Sequence, residues 1–175
     1  MAVELTNEDL LESIKKIQTE MKIDAKPVKL DNIHFTMLFL GEITEGQAQK
    51  VQDALNLIEF SPFKVNFTGV GTFPKPRFPR VVWLGTDKSG GEKLSDLAKK
   101  VEDALSPLGF KSDKPFKPHI TIFRIKNKIG DISRDLVKFE NIEFGSQNIT
   151  EIKFKKSDLT PEGPIYSDLQ VIKAA

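Results

Sequence analysis

The chain has 175 residues, 39% hydrophobic and 29% charged, and its 26 Lys and Arg nearly balance 25 Asp and Glu for a net charge of +1. This suits one globular domain, or two small lobes sharing an interface, and argues against a broadly basic nucleic-acid coat. With no cysteine, disulfides, thiolate ligands and cysteine nucleophiles are excluded, and two histidines without a His-Glu-x-x-His spacing leave no metal site expected.

In chain order, Met1–Leu5 is a short apolar start that ends a strand. Thr6 then opens a helix, with Asp9 three positions later as an approximate capping box. Leu10, Leu11, Ile14, Ile17 and Met21 recur at helical spacing and mark its buried face. Lys26–Leu30 reads as a connector or short strand around Pro27. Ile33–Leu40 is the clearest buried strand, aromatic-rich and closed by Gly41. Thr44 and Gln47 form a capping box for a second helix, with Ala48, Val51, Leu55 and Ile58 inward. Phe63, Val65 and Phe67 alternate with polar residues as a half-buried strand. Gly69, Gly71 and the run Pro74–Pro79 predict a stiff turn, after which Arg80–Gly85 returns as an antiparallel partner.

Gly90 and Gly91 precede a third helix bearing Leu94, Leu97, Val101, Ala104 and Leu105, which ends near Gly109. Beyond a loop with Pro115 and Pro118, His119–Ile125 is a second buried strand. A short helix around Ile132–Val137 leads to strands at Ile142–Phe144, Ile149–Phe154 and Ile165–Val171, with Thr160–Gly163 as a turn. Helices and hairpins mix without βαβ alternation. The expected fold class is therefore α+β: one two-lobed domain over residues 1–175, with antiparallel sheets, flanking helices and a central cleft.

One pattern occurs twice, a helix followed by a strand bearing His-x-Thr. Side chains at i and i+2 of a strand share a face, so His34 joins Thr36 and His119 joins Thr121, each backed by apolar residues. An isolated strand histidine is most often a packed core residue. Ten threonines among 175 residues, however, place one at +2 of both histidines by chance only roughly once in three hundred chains, the square of that frequency. Two imidazoles across a groove supply what phosphodiester cleavage needs, one taking a proton from water and the other giving one to the leaving oxygen. Histidine's pKa of about 6.5 lets one be neutral while the other is charged. The threonine hydroxyls can donate to the nonbridging phosphate oxygens, and no cofactor is called for.

The segments His34-Phe-Thr-Met-Leu-Phe-Leu-Gly-Glu42 and His119-Ile-Thr-Ile-Phe-Arg124 resemble the paired signatures of the two-histidine phosphoesterases. More narrowly, the chain is similar to the bacterial and archaeal RNA 2′,3′-cyclic phosphodiesterases, also described as 2′-5′ RNA ligases. The likeness runs nearly end to end, through Gly69–Pro74, Arg80–Gly85 and Lys156–Tyr166. It implies a two-lobed fold with the motifs facing across a cleft, and metal-free hydrolysis of a 2′,3′-cyclic phosphate to a 2′-phosphate. By the same resemblance His34 is the acid for the departing 3′ oxygen, His119 the base for water, and Arg124 a phosphate ligand. The family's first strand is longer and carries an arginine and an aromatic, where this chain has only Ala2-Val-Glu-Leu5.

Strand alternation puts Arg124 opposite His119 unless a bulge, or the strand's end after Phe123, redirects it. Phe73 and Phe78, bordering the basic loop Lys75–Arg80, and Phe123, on the expected His119 face, are candidate nucleobase contacts. Trp83 and Tyr166 read as structural. Lys111–Lys128 holds six basic residues against Asp113, and with the Lys75–Arg80 loop it points to a small anionic ligand. The expected partner is RNA or an oligonucleotide with a cyclic phosphate end, bound by a monomer. No apolar run spans a membrane and no signal peptide is visible, so the expected location is the cytoplasm. A non-catalytic module that binds RNA ends with the same cleft is the alternative, distinguished by binding without turnover.

Overall fold

The computed structural model describes residues 1–175. Its strands are β1 (Ala2–Glu4), β2 (Lys26–Pro27), β3 (His34–Thr36), β4 (Phe63–Phe73), β5 (Val81–Thr86), β6 (Ile120–Arg124), β7 (Glu143–Ile149), β8 (Glu151–Thr160) and β9 (Gly163–Lys173). The helices are α1 (Glu8–Glu20), α2 (Glu45–Leu55), α3 (Lys88–Leu105) and α4 (Ser133–Val137). All strand pairs are antiparallel, in a four-stranded sheet ordered β3-β1-β8-β9 and a five-stranded sheet ordered β2-β6-β5-β4-β7. Each sheet thus owns one His-x-Thr strand, as the α+β two-lobed reading expects.

The lobes are not the two halves of the sequence. β4 and β5 follow the first motif but build the sheet of the second, whereas β8 and β9 near the C-terminus complete the sheet of the first. The apolar residues of both sheets and their helices form one continuous core that includes Leu10, Ile14, Phe35, Phe67, Leu94 and Ile120. Phe35 stacks on Phe67 at 5.7 Å between ring centroids, so residues of the two sheets meet there. Buried Gln147 of β7 adds a polar tie: its Oε1 accepts from Thr6 N and Asn7 N, and its Nε2 donates to the Glu4 carbonyl.

Several boundaries differ from the sequence reading. The α1 N-cap is Asn7, whose side chain accepts from Leu10 N at 2.9 Å, one residue later than the Thr6 start read from the sequence. The first motif strand ends at Thr36 rather than Leu40. Beyond it, the Met37 and Leu38 N–H groups converge on the Met1 carbonyl, and Phe39 turns out to solvent. Gly69 and Gly71 lie inside β4, whose pairing shifts register around Gly69 at φ 76°, and the turn starts only at Pro74. Gly90 and Gly91 belong to the first turn of α3, capped by Asp87. A Cβ at Gly90 would stand 3.0 Å from the Val65 backbone, so glycine there lets helix and sheet approach closely. The Thr44–Gln47 capping box forms as read.

Candidate active site

β3 and β6 meet between the two sheets. His34, Thr36, Thr121 and Arg124 line one cavity of about 310 Å³ there, together with Lys26, Lys29, Asn32, Lys126, Tyr166 and the β8–β9 turn. The burial pattern explains the motifs: Phe35, Ile120 and Ile122 are buried, while His34, Thr36 and Thr121 reach the surface. A larger, open hollow of about 640 Å³ beside α3 contains no histidine.

Arg124 reaches the cavity through a bulge. Trp83 pairs with Thr121 and Val82 with Phe123, which leaves Ile122 as an extra residue in β6. The extra residue reverses the alternation, so Phe123 points into the core and Arg124 outward. Phe123, 2% exposed, therefore does not share the His119 face and offers nothing to a nucleobase. The Ile122 carbonyl accepts from Val28 N and from Gln18 Nε2, both at 2.9 Å, so α1 and the β2 edge hold the bulge in place.

The two histidines are supported alike on the backbone and differently by side chains. Nδ1 of His34 lies 2.8 Å from the Asn32 carbonyl, and Nδ1 of His119 lies 2.6 Å from the Lys117 carbonyl. A carbonyl only accepts, so each Nδ1 carries the proton and each Nε2 is left for chemistry. Burial holds both imidazoles below the ordinary value of 6.5, against the pull of those carbonyl hydrogen bonds.

Around His119 the walls are aromatic, with Phe73 edge-on at 4.9 Å and Trp83 at 6.2 Å, and Lys117 Nζ lies 5.7 Å from the Phe73 ring. His119 does not itself line the 310 Å³ cavity; it stands two residues before Thr121 on the same strand run. His34 instead packs edge-on against Tyr166 at 5.4 Å and pairs in register with Glu4 of β1. Glu4 bonds Lys153 at 2.5 Å and also Lys155, and Asp168 binds the same two lysines at 3.1 and 2.5 Å. His34 feels the Lys155 charge, which lowers its proton affinity, and the Glu4 charge, which raises it.

Of the candidate aromatics, Phe73 supports His119, whereas Phe78 is half exposed beneath Lys75 and lines no part of the cavity. The sequence singles out neither Tyr166 nor Lys26 and Lys29 as cavity residues, and reaches Lys126 only as part of the basic run Lys111–Lys128. Tyr166 has one further signal, as the one tyrosine, in a tail segment that carries the family likeness. No three histidine, cysteine or carboxylate side chains are grouped to hold a metal ion, and no helix is long and apolar enough to cross a membrane.

A family model described as LigT like phosphoesterase matches the chain twice, over residues 3–83 and 84–166. A protein of Archaeoglobus fulgidus named RNA 2′,3′-cyclic phosphodiesterase is 39% identical over 95% of each chain. One of the same name from Aquifex aeolicus is 40% identical over 91% of this chain and 86% of its own. Among solved structures, TT0787 of Thermus thermophilus superposes with a TM-score of 0.82 at 26% identity, covering 98% of this chain and 95% of that one. Escherichia coli LigT complexed with 3′-AMP shares the fold, with a TM-score of 0.78 at 22% identity over 99% and 95% of the two chains.

Proposed function

The chain belongs to the LigT-like phosphoesterase family, and from that premise we propose that its cleft hydrolyses RNA 2′,3′-cyclic phosphate ends to 2′-phosphates by paired-imidazole acid–base catalysis. The observation that carries this reading is the duplicated support of His34 and His119, each with Nδ1 on the carbonyl two residues back and Nε2 left for proton transfer. Relatives that match nearly end to end carry the corresponding name.

In this reading the Nε2 lone pair of His119 takes a proton from water as its oxygen bonds to phosphorus. The bond from phosphorus to the 3′ oxygen breaks, and His34 Nε2–H protonates that oxygen, leaving the phosphate on the 2′ oxygen. Thr36, Thr121 and Arg124 meet the charge growing on the nonbridging oxygens. The division of labour follows the family resemblance. Burial lowers the proton affinity of both imidazoles, and at His34 the N-terminal amine and Lys155 lower it further while Glu4 raises it. Joining of 2′-5′ linkages is the reverse use of the same groups.

The reaction proceeds without metal, in a monomeric two-lobed domain over residues 1–175 acting on RNA ends in the cytoplasm. Incubation with a 2′,3′-cyclic oligonucleotide in EDTA tests it. A 2′-phosphate product at an undiminished rate is expected. Loss of turnover on chelation would overturn metal independence, and salt-dependent binding without any turnover would assign the cleft to end binding.

A further inference from the structure

We propose that Lys26, Lys29 and Lys126 form a second phosphate subsite, which holds the internucleotide phosphate upstream of the cyclic end and makes polynucleotide ends better substrates than cyclic mononucleotides. This inference rests on the cyclic-phosphodiesterase reading and extends it to the path of the strand.

The first observation is an excess of charge. The cavity is lined by four cations, Lys26, Lys29, Arg124 and Lys126, and by a single carboxylate, Glu162. A cyclic phosphodiester brings one negative charge, and Arg124 with the two threonines suffices for it. The lysines exceed what the reacting group can use.

The second is their placement. β2 is an edge strand, and its Lys26 stands directly opposite Arg124 of β6. Like charges in that relation weaken a sheet. No carboxylate stands within ion-pair distance of them: the ion pairs of the chain lie at Lys16, Lys88, Lys153, Lys155 and Lys156, and none of the four cavity cations takes part in one. Lys26 Nζ has only the Glu162 carbonyl, at 3.0 Å. An anion between these side chains supplies the missing partner.

The third is continuity with the catalytic end. Lys29 precedes a short 3-10 turn over Leu30–Asn32, and the Asn32 carbonyl receives His34 Nδ1. Asn32 Nδ2 reaches the Pro164 carbonyl of the β8–β9 turn at 3.4 Å. The lysines, His34 and the hairpin tip are therefore one connected wall. In the Lys75–Arg80 loop, Lys75 covers Phe78 and Arg80 donates to the Lys126 carbonyl, so two of its three cations are already engaged. This directs the strand out along the β2 edge instead of past the Lys75–Arg80 loop.

The test compares kcat/KM for a 2′,3′-cyclic mononucleotide and for a pentaribonucleotide ending in the same cyclic nucleotide, each across a KCl series. The wild type is expected to prefer the pentamer at least tenfold. The triple variant Lys26→Ala, Lys29→Ala, Lys126→Ala is expected to lose most of that preference, falling far more on the pentamer than on the mononucleotide. Its log–log salt slope for the pentamer should flatten by about 0.7, the contribution of the one phosphate contact on a single strand that the subsite makes. The corresponding Lys→Arg triple should restore the preference, which a merely destabilised fold would not. Equal wild-type kcat/KM on both substrates, or equal losses on both in the alanine triple, would overturn the subsite and leave the catalytic reading standing. Failure of the wild type on both substrates would overturn the catalytic reading itself.

Discussion

Replacing Glu4 with glutamine removes the carboxylate that joins Lys153 and Lys155 beneath His34. Both lysine side chains are largely buried, 15% and 11% exposed, and Glu4 is 21% exposed. Removing one partner of a fully buried ion pair costs about 3–5 kcal/mol. Here the site is partly open and Asp168 still binds both lysines, which reduces the expected loss to about 1–2 kcal/mol. For a chain of this size that corresponds to a fall of roughly 2–8 °C in the melting midpoint.

The pH dependence of that difference has a definite sign. The paired lysines hold the Glu4 carboxyl below its ordinary 4.5, against the opposing effect of burial. Its contribution is therefore present above 4.5 and lost as the pH falls through the folded value, so wild type and Glu4→Gln should converge in acid. The variant also leaves the Lys155 charge facing His34 without the Glu4 charge that opposes it. The limb of the pH–rate profile that reports protonated His34 should then move to lower pH. Thermal melts at several pH values and the profile of kcat/KM check both effects. A midpoint within 1 °C of wild type near neutrality, with an unmoved profile, would refute the role given to this network.

Thr121→Val should lower kcat about 10²-fold while leaving the melting midpoint within about 2 °C, because it removes a hydroxyl from the cavity but keeps the shape; steady-state kinetics and a melt decide it. Gly71→Ala should destabilise by about 1–3 kcal/mol and also reduce kcat, since the added Cβ would overlap the Trp83 ring that packs against His119. Burial lowers the proton affinity of both histidines, so the unfolded chain binds protons more tightly there than the folded one. Their stability penalty is complete below the folded pKa values and is relieved as the pH rises from those values to 6.5, which denaturant midpoints between pH 5 and 8 will show as a rise that levels off above 6.5.

Local chemistry was legible in the sequence wherever neighbours in the chain decide the structure. The Thr44–Gln47 capping box, the apolar stripe of α1 and the same-face pairing of each histidine with its threonine all depend on residues within one turn or one strand. What long-range pairing decides was not legible. Nothing near β4 indicates that it joins the sheet of the second motif, and nothing near β8 indicates that it completes the sheet of the first. The bulge at Ile122 illustrates this most clearly. It is held by Gln18 and Val28, about a hundred positions earlier in the chain, and it reverses the expected directions of Phe123 and Arg124 together.

The environments of the two histidines follow the same division. That they form a pair could be read from His34-x-Thr36 and His119-x-Thr121. That one lies against a lysine–carboxylate network and the other among aromatic rings depends on Glu4, Lys155, Tyr166, Phe73 and Trp83, which only the assembled sheets bring to them. Two histidines with matching motifs thereby acquire unlike surroundings, the condition for unlike roles.

The pH dependence of kcat/KM on a 2′,3′-cyclic substrate in EDTA tests the paired-imidazole mechanism most directly, because it reports the essential acid and base of the free enzyme. A bell centred on the acid side of 6.5 is expected, since burial lowers both imidazoles. The ascending limb should vanish in His119→Ala and the descending limb in His34→Ala, each with a large loss of rate. A wild-type profile with a single limb, or near-normal turnover in either variant, would contradict catalysis by the pair.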